Sequence, residues 1–302
     1  MSDTLLIAVP ASLAAGSCFA LAGVLQQHSA AARPERESLS YQLLLHLARQ
    51  PVWLTGIGLA VLAYVFQGVA LAHGPLSLVQ PLIVTELIFA IPLSARLHRM
   101  RLGRREWLGV GAVTVGLTAA LYAAQPQGGD PRAGTTGWLL SLSVMGGLVL
   151  TVLAASRHVG EAPRASLLAL AGGLVMGTQS VLLDATIDLL DEGPGVLFTA
   201  WQTYLMVAAS ITGLLLIQSA FQAGPLAASV PVFDAAEPAV AIGFGIGLFG
   251  ESVQTGWVAL PVAAVGVALL FAGIVLLDTS PLLAALHQRE RNAEVHWPTD
   301  RS

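Results

Sequence analysis

The sequence predicts an all-α polytopic membrane protein: nine transmembrane helices, built as two inverted four-helix repeats joined by a linker helix. Three observations predict this. Of 302 residues, 55% are hydrophobic and only 11% charged, against roughly 25% charged in soluble domains. Residues 63–123 match residues 213–273 without a gap at a constant offset of 150: Ala70/Ala220, Gly74/Gly224, Pro75/Pro225, Leu76/Leu226, Pro81/Pro231, Trp107/Trp257, Val115/Val265 and Gly116/Gly266. A shared Gly-Pro-Leu, a second proline, a tryptophan and a glycine in register mean a duplicated unit. In an apolar chain such a repeat is characteristic of transporters made of two related halves. The third observation is the placement of arginine.

A span needs about 20 apolar residues. The apolar runs place spans at about 5–28, 52–72, 75–97, 106–124, 136–156, 166–187, 201–222, 225–248 and 256–277. Repeat 1 then covers about 5–124, the linker helix 136–156 and repeat 2 about 166–277, all one transmembrane domain (1–277). A polar tail, 278–302, follows. The start carries no basic residues ahead of its apolar run, so the first helix is expected to stay rather than be removed as a signal peptide. The breaks His73–Pro75 and Ala223–Pro225 read as tight turns, because proline readily starts a helix and glycine relaxes the turn.

With nine spans, one side of the membrane receives Arg33, Arg36, Arg49, Arg96, Arg99, Arg101, Arg104, Arg105, Arg157, Arg164, Arg289, Arg291 and Arg301; the other receives only Arg132. The positive-inside rule puts the N-terminus outside and the C-terminus in the cytoplasm of a cell-membrane protein. Tyr41–Arg49 is expected to lie along the cytoplasmic interface. The copies start at the second and seventh spans, five crossings apart, so they are inverted. Their charge dressing agrees: Arg101 and Glu251 are equivalent positions at opposite faces. Spans one and six extend the repeat at an offset of 157, through Gly16/Gly173, Val24/Val181 and Leu25/Leu182.

Acids inside a bilayer are costly and mark function by default. Glu86 falls at the centre of span three. Asp234 and Glu237 fall at the centre of span eight, three residues apart and so on one face. Glu86 aligns with Ala236, beside Glu237, so both halves bring a carboxylate to nearly the same depth. These three are the candidate metal or proton ligands, since carboxylates suit hard cations such as Mg²⁺. The alternative is structural hydrogen bonding between helices. Pro81, Pro92, Pro231 and Pro238 flank the acids, and each frees a carbonyl one turn earlier. Gln80, beside Pro81, is the leading neutral ligand. Gln27 and Asp184, equivalent at offset 157, complete the candidate binding set. Asp184, Asp188, Asp191 and Glu192 form an acidic rim able to concentrate cations.

Gln218 and Gln222 read as helix-interface residues, and Gly173-xxx-Gly177 and Gly243-xxx-Gly247 as close-packing motifs. The lone Cys18 allows no intrachain disulfide. No phosphate loop, Cys/His metal cluster, catalytic triad or basic-aromatic patch stands out. An enzyme, a cofactor and a nucleic-acid partner are therefore not expected. The lipid bilayer, a small-molecule or ion substrate and a second copy of the chain, as a homodimer, are the expected partners.

On these residues the chain resembles the drug/metabolite transporter (DMT, EamA-like) superfamily. Ile246–Gly256 is similar to its helix-end pattern of an apolar run, Gly-Glu and a short loop; Arg101–Gly109 looks like the same corner in the first copy. Nine helices, with Arg49–Gly56 and Gly74–Leu82, look more like its NIPA-type magnesium-transporter branch. That branch has Gly-Glu in the second helix, where this chain has Tyr64 and Phe66. The resemblance implies transport by alternating access between the halves. The leading expectation is Mg²⁺ or another divalent cation as cargo, held by Glu86, Asp234 and Glu237. The alternative is proton-coupled export of a small metabolite or drug, with Phe66, Phe89, Phe233 and Trp201 lining the pocket. A membrane scaffold without transport is the reading from another class.

Overall fold

A computed structural model of the protein describes residues 2–73, 79, 82–83, 85–97, 99, 102–124, 134–188, 193, 195–250 and 257–280. Gln80, Pro81, the turn at Gly74–Pro75, Arg101, Arg132, Asp191, Glu192, Glu251 and the tail beyond 280 lie outside them, as do the side chains of Asp184, Asp188 and Pro238. The described residues form helices and connecting turns only. The helices are α1 (Ser2–Ala31), α2 (Tyr41–Leu47), α3 (Pro51–His73), α4 (Glu86–Leu97), α5 (Arg104–Ala124), α6 (Thr135–Ser156), α7 (Glu161–Asp188), α8 (Trp201–Ala223), α9 (Leu226–Gly247) and α10 (Ala259–Asp278).

Six stretches are long and apolar enough to cross a bilayer: Leu6–Ala31, Pro51–Ala70, Thr135–Ser156, Pro163–Leu183, Trp201–Ala223 and Ala259–Leu277. The protein is thus a helical membrane protein. The three other expected spans coincide with α4, α5 and α9, which are not among the six.

Local chemistry sets the helix ends. The Gly103 N–H donates to Glu106 Oε2 at 2.8 Å, capping α5 from within its first turn. Ser40 Oγ accepts from the Gln42 N–H and caps α2. Gly224, fully extended, and Pro225, the N-cap of α9, make the expected tight turn from α8.

Helix pairs carry the fold. α1 packs on α3 and α4; α7 packs on α8 and α9; α4 touches α5, and α9 touches α10. Between these groups α5 packs on α10, α4 on α9 and α1 on α8. Helix α6 packs mainly on α7 and exposes Leu139, Leu140, Val144, Leu148 and Leu150. In lipid such a face is at no disadvantage, since acyl chains are as apolar as leucine.

With no hydrophobic drive between helices in a bilayer, close backbone approach does the work. At the α5–α10 crossing, a Cβ on Gly116 would lie 2.6 Å from the Gly266 carbonyl oxygen, and one on Gly266 would lie 2.7 Å from the Gly116 oxygen. Further along, Gly109 faces Leu277 and Gly273, while Gly266 faces Ala120. Residue numbers rise on one helix as they fall on the other, so α5 and α10 run antiparallel.

The linker 29–51 folds onto the end of α8. The Gln222 amide donates to the carbonyls of Arg33 and Pro34 at 3.1 and 2.7 Å. The Leu39 N–H donates to Ser219 Oγ at 3.0 Å, holding Leu39 at a positive φ of 58°. Arg33 meets the Glu37 carboxylate with two hydrogen bonds, at 3.0 and 2.8 Å. His46 Nδ1 approaches Glu37 Oε2 at 3.0 Å, an ion pair when the imidazole is protonated rather than an aligned hydrogen bond. The Arg33 hydrogen bond is the main reason the Glu37 carboxyl sits below its usual 4.5; burial opposes it and His46 adds to it.

Two outcomes follow. Gly116→Ala should lower the melting temperature in detergent, by about 1–3 kcal/mol of overpacking, because the atoms it meets are backbone. Gly111→Ala, with nothing within 4 Å, should leave melting unchanged. Because its folded pKa is depressed, Glu37 contributes stability above pH 4.5 and loses it as pH falls further. Glu37→Gln should therefore melt earlier than wild type at pH 7, and the gap should close on acidification below that value.

Candidate functional site

Two backbone features bring the acids of the two halves together. The first is a break before α4. Thr85 is a turn residue: its N–H and hydroxyl both reach the Leu82 carbonyl, and its own carbonyl accepts from the Ile88 N–H at 2.9 Å. Glu86 therefore begins a helix. This corrects the expectation that it sits in the middle of an unbroken span: the threonine hydroxyl competes for the carbonyl that an α-helix would use.

The second feature is a glycine on each flanking helix. Gly16 of α1 lies so close that a Cβ would be 3.0 Å from the Ile83 carbonyl oxygen and 3.5 Å from the Glu86 nitrogen. Gly173 of α7 stands likewise over α9, 3.0 Å from the Phe233 oxygen and 3.5 Å from the Glu237 nitrogen, with the Ala236 Cβ at 2.6 Å. Gly16 and Gly173 match at offset 157, and Ile83 and Phe233 at offset 150. Gly177, one turn on, abuts the Glu237 carbonyl at 2.7 Å.

The Glu86 carboxyl of α4 and the Asp234 carboxyl of α9 lie within hydrogen-bonding reach of each other. Asp234 Oδ2 is buried, and no donor among the described residues reaches it. Glu237 is turned toward α7 instead, where the Ser180 hydroxyl donates to its Oε1 at 3.2 Å. It remains an electrostatic neighbour of both other acids, and the Tyr64 phenol of α3 is a neighbour of Glu86 and Glu237. No basic group is among the electrostatic neighbours of these carboxyls in the described residues. All three acids are of intermediate exposure.

The chemistry of such a pair is constrained. An ionised carboxylate only accepts hydrogen bonds; a protonated one also donates. Two carboxyls in contact, with no base nearby, need a proton or a cation between them. The three acids do not form a cluster converged on one metal ion, and no such cluster of His, Cys, Asp or Glu occurs among the described residues.

The other expected ligands fall elsewhere. Gln27 is buried in α1, eleven residues beyond Gly16 and so about 16 Å along the helix. The Asp184 backbone stands the same distance beyond Gly173 on α7. Neither joins the carboxyls. Trp201 stacks edge-on against Trp138 at 5.4 Å, beside Phe244 and Phe249, so it closes one end of α6, α8 and α9 and does not join the acids. Phe66 packs against the cluster of Ala11, Ala15, Ala70, Val79 and Ile83, Phe233 against that of Leu168, Ala169 and Ala220, and Phe89 is exposed.

Sequence reasoning missed Ser180 and Tyr64. Ser180 was within reach: Gly173, Gly177 and Ser180 recur at i, i+4 and i+7, one stripe of α7. Nothing in the sequence separates Tyr64 from an ordinary lipid-facing tyrosine.

A protein of Corynebacterium glutamicum described as uncharacterized is 33% identical over 266 residues, which cover 85% of this chain and 91% of that protein. No protein-family model matches the chain, and no solved structure does.

Placing a methyl at Gly173 should push α9 from α7 at the level of Glu237. Gly173→Ala is expected to melt several degrees below wild type in detergent, with Gly147→Ala, a lipid-facing control with nothing within 4 Å, unchanged.

Proposed function

The chain belongs to the same family as the Corynebacterium glutamicum protein, and we propose that it is a secondary transporter that couples cargo movement to protons carried by Glu86 and Asp234. The observation that carries this is the meeting of two carboxyls, one from each proposed half, with no base beside them among the described residues. A group that must take up a proton to close and release it to open is a coupling site. Glu237, held by Ser180, is poised to receive the proton or hold a cargo amine.

The architecture supports the same reading. We take the chain as nine spans in two inverted repeats, of the drug/metabolite transporter kind, in the plasma membrane with the N-terminus outside. Supporting the inversion, Gly116 and Gly266 are equivalent positions and meet each other on antiparallel helices, as a two-fold axis in the membrane plane requires. The packing of α1 on α3 and α4 is matched by that of α7 on α8 and α9. Cargo would bind between α4 and α9, exposed to either side in turn.

Mg²⁺ is the second reading, favoured by the buried Asp234 Oδ2 that no donor among the described residues reaches. Hydrated Mg²⁺ keeps several waters and needs only one or two carboxylates.

Proteoliposomes loaded with pH and Mg²⁺ indicators separate the readings. They would be challenged with Mg²⁺ and with a panel of small amines, amino acids and drugs. One or more organic compounds should drive proton movement in wild type, and Glu86→Gln/Asp234→Asn should reduce it at least roughly tenfold. Mg²⁺ flux without proton movement would transfer the assignment to the second reading. Neither flux with any compound would leave the scaffold and overturn transport.

A further inference from the structure

The two ends of the bundle are held together unequally. Under the two-fold relation proposed above, α1 against α8 at one end has α7 against α3 as its counterpart at the other. The first contact forms; no comparable α3–α7 contact exists among the described residues.

The contact that forms is polar and buried. Trp53 Nε1 donates to Gln218 Oε1 at 3.0 Å, and Gln218 Nε2 donates to Gln26 Oε1 at 2.7 Å. Gln218 is fully buried, and Gln26 and Trp53 nearly so. One side chain of α8 thus ties α1 and α3 together. The bonds from Ser219 and Gln222 to the 33–39 segment lie immediately beside it. All of this sits where α1 ends, α3 begins and the arginine-rich 29–51 linker runs: the cytoplasmic end under the positive-inside rule.

The counterpart positions cannot repeat it. Gly68 corresponds to Gln218 and Thr203 to Trp53 at offset 150; Leu183 corresponds to Gln26 at offset 157. Glycine and leucine bring no side-chain donor or acceptor, and a Cβ on Gly68 would meet nothing within 4 Å. Gly68 shares the α3 face of Trp53, Ile57 and Tyr64, at spacings of 15, 11 and 4 residues. Where the cytoplasmic end has a three-residue hydrogen-bonded tie, the counterpart positions among the described residues have none.

We propose that Gln218 is the latch of the cytoplasmic gate, that the conformation described is outward-open, and that the latch makes it the resting state. This rests on the transporter reading. Opening the cytoplasmic end separates Gln218 from both partners and strands a buried amide. Closing the outer end gains no equivalent bond. The bias follows from residue identity at symmetry-related positions, and removing the latch shifts the population the other way.

The test uses Gly68→Cys as a reporter in a Cys18→Ser background, labelled by a membrane-impermeant maleimide from outside intact cells. The reporter should label readily. Gln218→Leu, and independently Trp53→Phe, which keeps an aromatic ring but removes the donor, should each slow labelling by roughly fivefold or more. Labelling at the parental rate in both variants, or no labelling of the parent from outside, would overturn the latch. Labelling needs no cargo, and the flux measurement runs in parallel. Unchanged labelling with intact flux removes the latch and leaves the transporter; slowed labelling without any flux keeps a two-state gate and removes the transport reading.

Discussion

A carboxyl group in hydrocarbon has to be met by something, and in this molecule the partner of Glu86 is another carboxyl. The two acids sit on α4 and α9, so contact between them is contact between those two helices. The surrounding backbone is arranged to allow it. Thr85 interrupts the chain so that Glu86 starts a helix. Gly16 and Gly173 let α1 and α7 press against the segments bearing the acids. A side chain at Gly16 would push α1 from the segment before Glu86, and one at Gly173 would push α7 from α9 at the level of Glu237. The cost of burying acids is therefore written into residues that carry no charge.

The rest of the molecule divides into parts that hold and parts that yield. The α5–α10 crossing holds: its glycines bring backbone against backbone, and atoms there have nowhere to move. The aromatic cluster around Trp138 fastens α6, α8 and α9 at one end. Packing is sparser between α3 and α7, where the described residues show no comparable contact, and the acids are of intermediate exposure. Under the proposed transporter reading, the crossing is the part that stays fixed while the two halves rock.

Much of this was legible in the sequence, and for identifiable reasons. Apolar runs located the six stretches long enough to cross a bilayer and the helices Glu86–Leu97, Arg104–Ala124 and Leu226–Gly247, but not the break before Glu86. The 150-residue offset pairs Gly116 with Gly266, and these two positions touch. What an offset cannot give is rotation about a helix axis. Glu86 aligns beside Glu237, yet it meets Asp234, because the break at Thr85 sets where Glu86 points. Gln27 and Asp184 are equivalents, but equivalence says nothing of depth, and both lie three turns from the acids. Gln218 was placed at a helix interface; its two partners, Trp53 and Gln26, are 165 and 192 residues away, and no local pattern records pairings of that range.

The most direct test of the shared carboxyl pair is reaction with a hydrophobic carbodiimide, which needs a carboxyl proton, followed by peptide mass spectrometry. At neutral pH the account predicts modification of Glu86 or Asp234, while Glu37, ion-paired to Arg33, stays unmodified. Absence of label on both Glu86 and Asp234 would contradict a proton held between them.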